Sequence, residues 1–589
     1  MCGEFSLVFS PVICYNNHIR GRRQSRMENK PIAIGIENYK EIIDKPYYYI
    51  DKTLLIGEIL DKGGKVNLFT RPRRFGKTLA LSMIKTFFEQ DTDIHGNVTD
   101  NSRYFDDMKI SQAGERYTKH MGQYPVISLS LKSAKQPDFD MAYKSLLNEI
   151  AKEYERHCYV LEGDMLLSSK KEKYINIMEQ KAEKIDYATA LKFLSDCLKK
   201  YHERNVIILI DEYDVPLENS YFAGFYDEMI TFIRSLFESA LKTNDSLEFA
   251  VITGCLRISK ESIFTGLNNL KINSILNQNY AEFFGFTQQE VEQMLRDYDL
   301  LDKIEEVKEW YDGYLFGETE VYNPWSVINY VDTAVENTVA FPKPYWSNTS
   351  SNSIIRELVE EADSEVKQEI ENLLAGGTIE KPVHEDITYE DIHKTQENLW
   401  NFLFFTGYLK KTGERFEEET IYLTLTVPNK EVAGIYRNTI LEWFNKRLRA
   451  TDLSVLHKAI LEGDCETFEN EVSDLLLETI SFYDYAENYY HGFLCGLLKG
   501  CNRYTVISNR ESGNGRPDIL FKHLSVRGQA VIIDIKVVKE FDRMEAGCDE
   551  ALKQIEEQNY AAALHKEGYR QIRKYGICFY RKECMVKEG

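Results

Sequence analysis

An apolar strand, a basic loop and an apolar-periodic helix follow one another in KVNLFTRPRRFGKTLALSMIKTFF, with the strand at Val66 to Phe69 and the helix opening near Lys77. Strand, loop, helix is the context a phosphate-binding loop requires. In a phosphate-binding loop, backbone N–H groups and the helix N-terminus cradle a β-phosphate, a Lys neutralises the β/γ oxygens, and a Ser or Thr hydroxyl holds Mg²⁺. Gly76, Lys77 and Thr78 supply that ending, while Arg71 stands where the usual GxxxxGK[ST] pattern has its first glycine. A basic turn before a core helix is the competing account of the same residues.

A second element favours the nucleotide reading. NVIILIDEYDVP is a continuous apolar run of the kind a parallel strand needs when both its faces are buried, and it ends in Asp211 and Glu212. The first carboxylate suits the Mg²⁺ shell and the second suits orienting an attacking water in phosphoryl transfer; a lone acidic pair capping a turn is the alternative. A third strand, LEFAVITGCLRI, ends with Thr253 and Arg257, where a polar residue between the two motifs would sense a γ-phosphate. The same two residues also read as a strand-end hydroxyl and a surface charge. The chain order suits a parallel sheet whose strand ends meet at one crevice.

IGIENYKEII, YYYIDKT, RPRRFGKT, LIDEYDVP, ITGCLRISKESIFTGLNN and WYDGYLFGETEVYNPWSVINY, in that order, resemble the AAA-ATPase-like family common in anaerobic bacteria, over residues 30–330. The resemblance implies a P-loop NTPase core with a parallel sheet, then a helical lid. It implies ATP as ligand, Lys77 and Thr78 in the phosphate loop, and Asp211 and Glu212 in the acidic strand. Arg71 is no departure within this resemblance, because such proteins look like switch-type P-loop ATPases with an RRxGKT loop, here Arg73–Thr78. The expected boundaries are a leader or over-called start at 1–26, the ATPase domain at 27–286 and the lid at 287–350. In the lid, Thr287 caps a helix, and Trp310, Tyr311 and Tyr314 read as core.

Residues 351–480 read as a small mixed region of helices and a hairpin, winged-helix-like, that connects to the C-terminal segment; 378–395 is the best linker. That final segment, 481–589, holds a second constellation. A helix carries Glu487, RESGNGRPDILF carries Asp518, and QAVIIDIKVVKE carries Asp534 and Lys536. Alternation along a strand puts Asp534 and Lys536 on one face. Hydrolysis of a phosphodiester needs hard carboxylate oxygens for Mg²⁺ or Mn²⁺ and a nearby cation, and Asp518, Asp534 and Lys536 are the right types. Surface salt bridges on a strand are the bland account of D…DxK.

The glycine-flanked turn, the DIK strand and the helix ALKQIEEQNYAAA, in that order, resemble the PD-(D/E)XK nuclease superfamily, and specifically the nuclease-like domain that accompanies AAA-ATPase-like proteins. This implies a C-terminal α/β restriction-endonuclease-like fold. It also implies Glu487 as the helical acid, Asp518 and Asp534 as metal ligands, Lys536 as the catalytic cation, and Gln554 and Tyr560 as supporting residues. Asp534 stands where many members have Glu, within the superfamily's allowance. His491, Tyr489 and Tyr490 read as structural.

The expectation is an α/β multidomain protein in which an ATP-driven switch controls a metal-dependent nuclease acting on DNA or RNA, with mobile-element biology or defence as the setting. A nucleotide-dependent scaffold whose C-terminal fold only binds a partner is the rival. Eleven cysteines without a CxxC pair point to a reducing compartment, and no apolar stretch approaches the roughly 18 residues that span a bilayer, so a cytoplasmic protein with no membrane partner is expected. A homo-oligomeric ring stays open, since Arg257 alone does not establish an arginine acting across subunits. The formal charge is −22, yet residues 482–589 carry 17 Lys and Arg against 15 Asp and Glu. The acidity therefore lies upstream and does not exclude a nucleic-acid substrate at the C-terminus.

Overall fold

The computed structural model describes residues 30–162, 165–256, 263–264, 268–337, 339–346, 355–356, 360, 363–384, 395–478, 487–508 and 517–589. Arg257, the leader 1–26, the SGNGR turn and part of the linker 378–395 lie outside the described residues. The chain forms two compact units: residues up to Trp346 with Lys381–Glu431, and Ser347–Glu380 with Val432–Gly589. The helix and hairpin expected in a middle connector thus go with the first unit, and the helices after 432 go with the second.

In the first unit, β1 (Val66–Thr70) leads into α1 (Lys77–Phe88). Then come β2 (Val126–Ser130), α2 (Phe139–Arg156), α3 (Ala190–His202), β3 (Val206–Asp211), α4 (Tyr226–Phe237), β4 (Leu247–Gly254) and β5 (Leu270–Asn273). The five strands pair in parallel in the order β2-β3-β4-β1-β5. Every residue of β1 and β3 is buried, which explains their unbroken apolar runs. Each fully buried Val, Leu or Ile there contributes about 1.5–3 kcal/mol. The register sets Phe69 beside Thr253 and Ile210 beside Ile252. Phosphate-loop strand and acidic strand therefore flank β4, and all three end at the same edge of the sheet.

Beyond the sheet, α5 (Gln288–Asp297) opens with a capping box: Glu290 N–H donates to Thr287 Oγ1 at 3.4 Å, and Thr287 N–H to Glu290 Oε2 at 2.8 Å. It packs with α6 (Ile304–Tyr311) and α7 (Pro324–Glu336) around Tyr311, Tyr322 and Tyr330, with Trp310 against that cluster. Tyr314 is also buried. Helix α8 (Gln396–Phe405) and the hairpin of β6 (Lys410–Glu417) and β7 (Thr420–Thr426) complete this unit. Helix α9 (Lys430–Ala450) begins at the point where the chain passes to the second unit.

The second unit continues with α10 (Ser454–Glu462), α11 (Cys465–Glu478), α12 (Glu487–Leu498), β8 (Tyr504–Ser508), β9 (Ile519–His523) and β10 (Gln529–Val537). It ends with α13 (Met544–Glu557), α14 (Ala561–Glu567), β11 (Gln571–Tyr580) and β12 (Glu583–Glu588). The strands lie in sequence order, antiparallel except for the parallel pair β10 and β11, between which the chain passes through α13. Alternation sorts β10: Val531, Ile533 and Ile535 pack with Leu456, Phe468 and Val472 of α10 and α11, while Ala530 and Ile532 pack with Ile555, Tyr560 and Leu564. Helices α10 and α11 thus belong to the core of this sheet, upstream of the boundary expected at 481.

Candidate nucleotide and nuclease sites

At the end of β1 the chain turns through Arg71–Gly76 into α1. Gly76 caps the helix in the left-handed region (φ 80°) and has nothing within 4 Å of the place a Cβ would take, so backbone conformation rather than crowding selects glycine. No side chain caps this helix. Uncapped first-turn N–H groups at a helix N-terminus are the arrangement a phosphate loop uses.

Arg71, expected among the nucleotide contacts, is instead enclosed within the protein, at 0% exposure. Its Nη1 donates to the carbonyls of Thr70 (2.9 Å) and Asn273 (2.7 Å), and its guanidinium lies 5.2 Å and 5.0 Å from the ring centres of Phe284 and Phe316. Burial lowers its pKa to about 9. A side chain held between two rings supports the loop and is not presented to a ligand. Arg73, by contrast, pairs with Glu218, whose own pKa burial raises.

The first turn of α1 and the end of β4 converge on Asp211 at the end of β3. Thr78 Oγ1 donates to its Oδ2 at 2.7 Å, and Thr253 Oγ1 donates to Oδ1. A hydroxyl and a carboxylate so joined are hard oxygen donors of the kind Mg²⁺-nucleotide uses, and the residues fit that group. Lys77, buried, turns its ammonium onto the carbonyls of Arg71 (2.9 Å) and Pro72 (2.8 Å), with Cys255 Sγ at 3.7 Å. Glu212 is held with φ 51°, a conformation that costs a non-glycine residue about 1–3 kcal/mol and concentrates at functional positions. Burial raises its pKa, and the charge of Asp211 raises it further. Its neighbours fix the turn: Leu131 N–H donates to Asp211 O at 3.0 Å and Tyr213 N–H to Thr253 O at 3.1 Å.

Asp214 is not singled out by the sequence. It is buried and accepts the N–H groups of Cys255 (2.7 Å) and Leu256 (3.3 Å), bracing the end of β4; the repeated acids of DEYD are the signal that could have found it. A Cβ on Gly254 would sit 2.5 Å from the Tyr213 ring and 2.8 Å from Asp214 Oδ1.

In the second unit, Asp534, Lys536 and Gln554 close a triangle. Lys536 Nζ donates to Asp534 Oδ2 (2.9 Å) and Gln554 Oε1 (2.8 Å), and Gln554 Nε2 donates to Asp534 Oδ1 (3.1 Å). Strand alternation puts Asp534 and Lys536 on the face that α13 covers, and α13 brings Gln554 to them. Asp534 is fully buried, and burial pushes its pKa up to about 6, with Asp518 and Glu487 adding like charge against the pull of Lys536. Burial also opposes the charge on Lys536, but its bond to Asp534 leaves its pKa raised. Asp518, half-buried, directly precedes β9 and accepts Ile535 N–H at 2.7 Å through Oδ2, which fixes it beside the DIK strand.

Glu487 stands exposed at the first position of α12. His491, one turn on, has its Nε2 2.9 Å from Asp518 O and 3.0 Å from Ser508 Oγ, bracing the turn that carries Asp518. Tyr490 stacks on Phe579, centres 4.2 Å apart, and Tyr489 packs against Phe493. Tyr560 lies in the apolar cluster with Leu520 and Ile532 rather than in the triangle. Among the described residues, no three His, Cys, Asp or Glu side chains gather as a ready-made metal cage. Asp534, whose ionisation is opposed by burial and by the nearby charge of Asp518, nonetheless fits Mg²⁺ together with Asp518, since that ion keeps several waters and takes one or two protein carboxylates.

Among the described residues, no helix is long and apolar enough to cross a membrane. Residues 33–264 match the family model AAA-ATPase-like, described as "Predicted AAA-ATPase", and residues 485–589 match that of the PD-(D/E)XK nuclease superfamily. An "Uncharacterized protein in vnfD 5'region" of Azotobacter chroococcum mcd 1 is 26% identical over 346 residues, 57% of this chain. The match spans 57% of that relative's own length. Lys77, Thr78, Asp211 and Thr253 fall in the first matched region, and Asp518, Asp534, Lys536 and Gln554 in the second. The chain thus combines an AAA-ATPase-like domain over residues 33–264 with a PD-(D/E)XK nuclease superfamily domain over residues 485–589.

Proposed function

We propose that this protein binds and hydrolyses ATP with Mg²⁺ at the first site, and that the nucleotide state controls a Mg²⁺- or Mn²⁺-dependent nuclease at the second, acting on DNA or RNA. The observation that carries the nuclease reading is the closed triangle of Asp534, Lys536 and Gln554 beside Asp518, on adjacent antiparallel strands. A salt bridge serving only stability has no need of a buried carboxylate whose pKa is pushed up to about 6.

In this reading, Asp518 and Asp534 present the oxygens that hold the cation. A bound divalent ion supplies a water of lowered pKa and offsets charge on the phosphorane-like transition state. Lys536, fixed by two hydrogen bonds, sets a positive charge next to the scissile phosphate, and Gln554 keeps that ammonium from collapsing wholly onto Asp534. Glu487 adds negative charge at the rim. At the nucleotide site, Lys77 would neutralise the β/γ oxygens, Thr78 and Asp211 would hold Mg²⁺, Thr253, bonded to Asp211, would sense the γ-phosphate, and Glu212 would orient water.

The test uses plasmid nicking in Mg²⁺ by wild type and Lys536→Ala. Loss of nicking in the variant is expected, and equal inertness of both proteins across DNA and RNA substrates overturns the nuclease assignment. For the first site, Lys77→Ala hydrolysing ATP at the wild-type rate overturns the phosphate loop.

A further inference from the structure

Glu431 is a carboxylate with 0% exposure and no cation in ion-pair reach among the described residues. Hydrogen-bond donors face it instead: Ser326 Oγ lies 3.0 Å and 2.8 Å from its two oxygens, Trp346 N–H donates to Oε1 at 2.9 Å, and the Tyr345 backbone adds a further hydrogen bond, with Tyr311 and Tyr314 nearby. Burying a carboxylate without a cation costs stability that these hydrogen bonds offset only in part. Its position is informative. Trp346 and Glu431 are the last residues of the first unit at two of the places where the chain crosses into the second, so one side chain ties both crossings together.

The same carboxylate is linked back to the phosphate loop. Arg74, held in that loop with φ 71°, lays its guanidinium 4.1 Å from the ring centre of Trp325, the residue before Ser326 on α7. The Trp325 indole N–H donates to Tyr345 O at 3.2 Å, next to Trp346. A second link starts at Pro72: a Cβ on Gly407, which has φ 90°, would sit 2.9 Å from the Pro72 ring. Tyr408, the next residue, stacks on Trp346 with centres 4.8 Å apart. The residue just before α9 is also held, by Asn429 Nδ2 donating to Asp312 O at 2.7 Å.

We propose that Glu431 is the coupling latch of this protein: the state of the phosphate loop, read by Arg74 on Trp325 and by Pro72 on Gly407, sets whether Ser326 and Trp346 stay bound to Glu431, and so sets the two crossings that lead to the C-terminal domain. The inference rests on the nucleotide and nuclease assignments above and adds the residues that join them. Nucleotide that draws Lys77 off the carbonyls of Arg71 and Pro72 moves the loop to which both links are anchored. Linkage makes the effect reciprocal, so nucleic acid bound at the second site changes ATP affinity by the factor with which ATP changes nucleic-acid affinity.

The test uses the full chain, Ser326→Ala and Glu431→Gln, with a fluorescent ATP analogue for affinity and amide exchange of peptides covering 322–346 and 428–440. In wild type, saturating analogue should change exchange in both regions. Ser326→Ala should bind the analogue within about twofold of wild type, a fraction of the 5–150-fold typical of allosteric coupling, yet lose the response at 428–440 and the nucleotide dependence of nicking. Glu431→Gln, which keeps the shape and an acceptor for Trp346 N–H, should retain part of the response. A full wild-type response in Ser326→Ala overturns the latch, and so does a wild type that binds the analogue without any response at 428–440. Because exchange is read without cleavage, an inactive nuclease does not alter either outcome. Failure to bind the analogue overturns the latch together with the nucleotide site.

Discussion

Asp534 has to lose its proton before it holds a cation, so the affinity of the C-terminal site for Mn²⁺ should rise with pH through about 6. The carboxyl is enclosed, and burial, reinforced by Asp518 and Glu487, outweighs the bond from Lys536 that favours ionisation. With a pKa of about 6, roughly a tenth of the molecules are ionised at about pH 5 and roughly nine-tenths at about pH 7. The association constant should therefore climb close to tenfold, or ~1.4 kcal/mol, across that window. Free Mn²⁺ followed by electron paramagnetic resonance, without nucleotide, measures it, and Asp534→Asn should bind weakly with no such rise. Stability without metal runs the other way. The folded pKa lies above the ordinary 3.8, so the folded chain holds the proton more tightly than the unfolded one. That stabilisation is complete below about pH 4 and is lost by about pH 6, a change of up to ~3 kcal/mol. An affinity that stays flat from about pH 5 to about pH 7, or an Asn variant that keeps the rise, refutes the reasoning.

Gln554→Ala should leave the domain folded but free Lys536 to collapse onto Asp534, lowering the nicking rate about 10–100-fold, the range seen when an outer partner of a metal site is removed. Gly254→Ala forces a methyl into the Tyr213 ring and Asp214, which should cost about 1–3 kcal/mol in thermal unfolding and slow ATP hydrolysis by displacing the turn at Glu212. Glu431, its pKa raised by burial to about 7 from the ordinary 4.5, binds its proton more tightly folded than unfolded, so its stabilising effect is present below about pH 4.5 and lost by about pH 7. Glu431→Gln should remove that slope and exceed wild type at about pH 8 by up to ~3 kcal/mol in thermal unfolding.

Much of the fold is written locally in the chain. An unbroken apolar run is what a strand buried on both faces requires, so β1 and β3, and the acids at the tip of β3, can be read directly. Alternation alone puts Asp534 and Lys536 on one face. The features that stay hidden are set by partners distant in sequence. Arg71 reads as one more basic loop residue until Phe284 and Phe316, more than 200 positions away, close over it. Asp214 looks like part of an acidic run, and only the incoming backbone of Cys255 and Leu256 makes it a brace. The division at Glu431 has no composition signal because Glu431 and Val432 are both buried within a helix rather than in a polar linker, whereas the polar run SNTSSNS directly follows Trp346 in the sequence. Helices α10 and α11 fall in the stretch 351–480, read from the sequence as a connector. Their membership of the C-terminal core follows from the β10 side chains they cover.

The proposal that one protein houses a nucleotide switch and the nuclease it governs is tested most directly by cleavage kinetics. Purified wild type, Lys77→Ala and Lys536→Ala would be assayed in Mg²⁺ on single- and double-stranded DNA and RNA, with ATP, a non-hydrolysable analogue or no nucleotide. Wild type should cleave at rates that differ between nucleotide states, Lys77→Ala should cleave at one rate in all three, and Lys536→Ala should not cleave. Wild-type cleavage that is identical with ATP, analogue and no nucleotide, or cleavage that survives in Lys536→Ala, contradicts it.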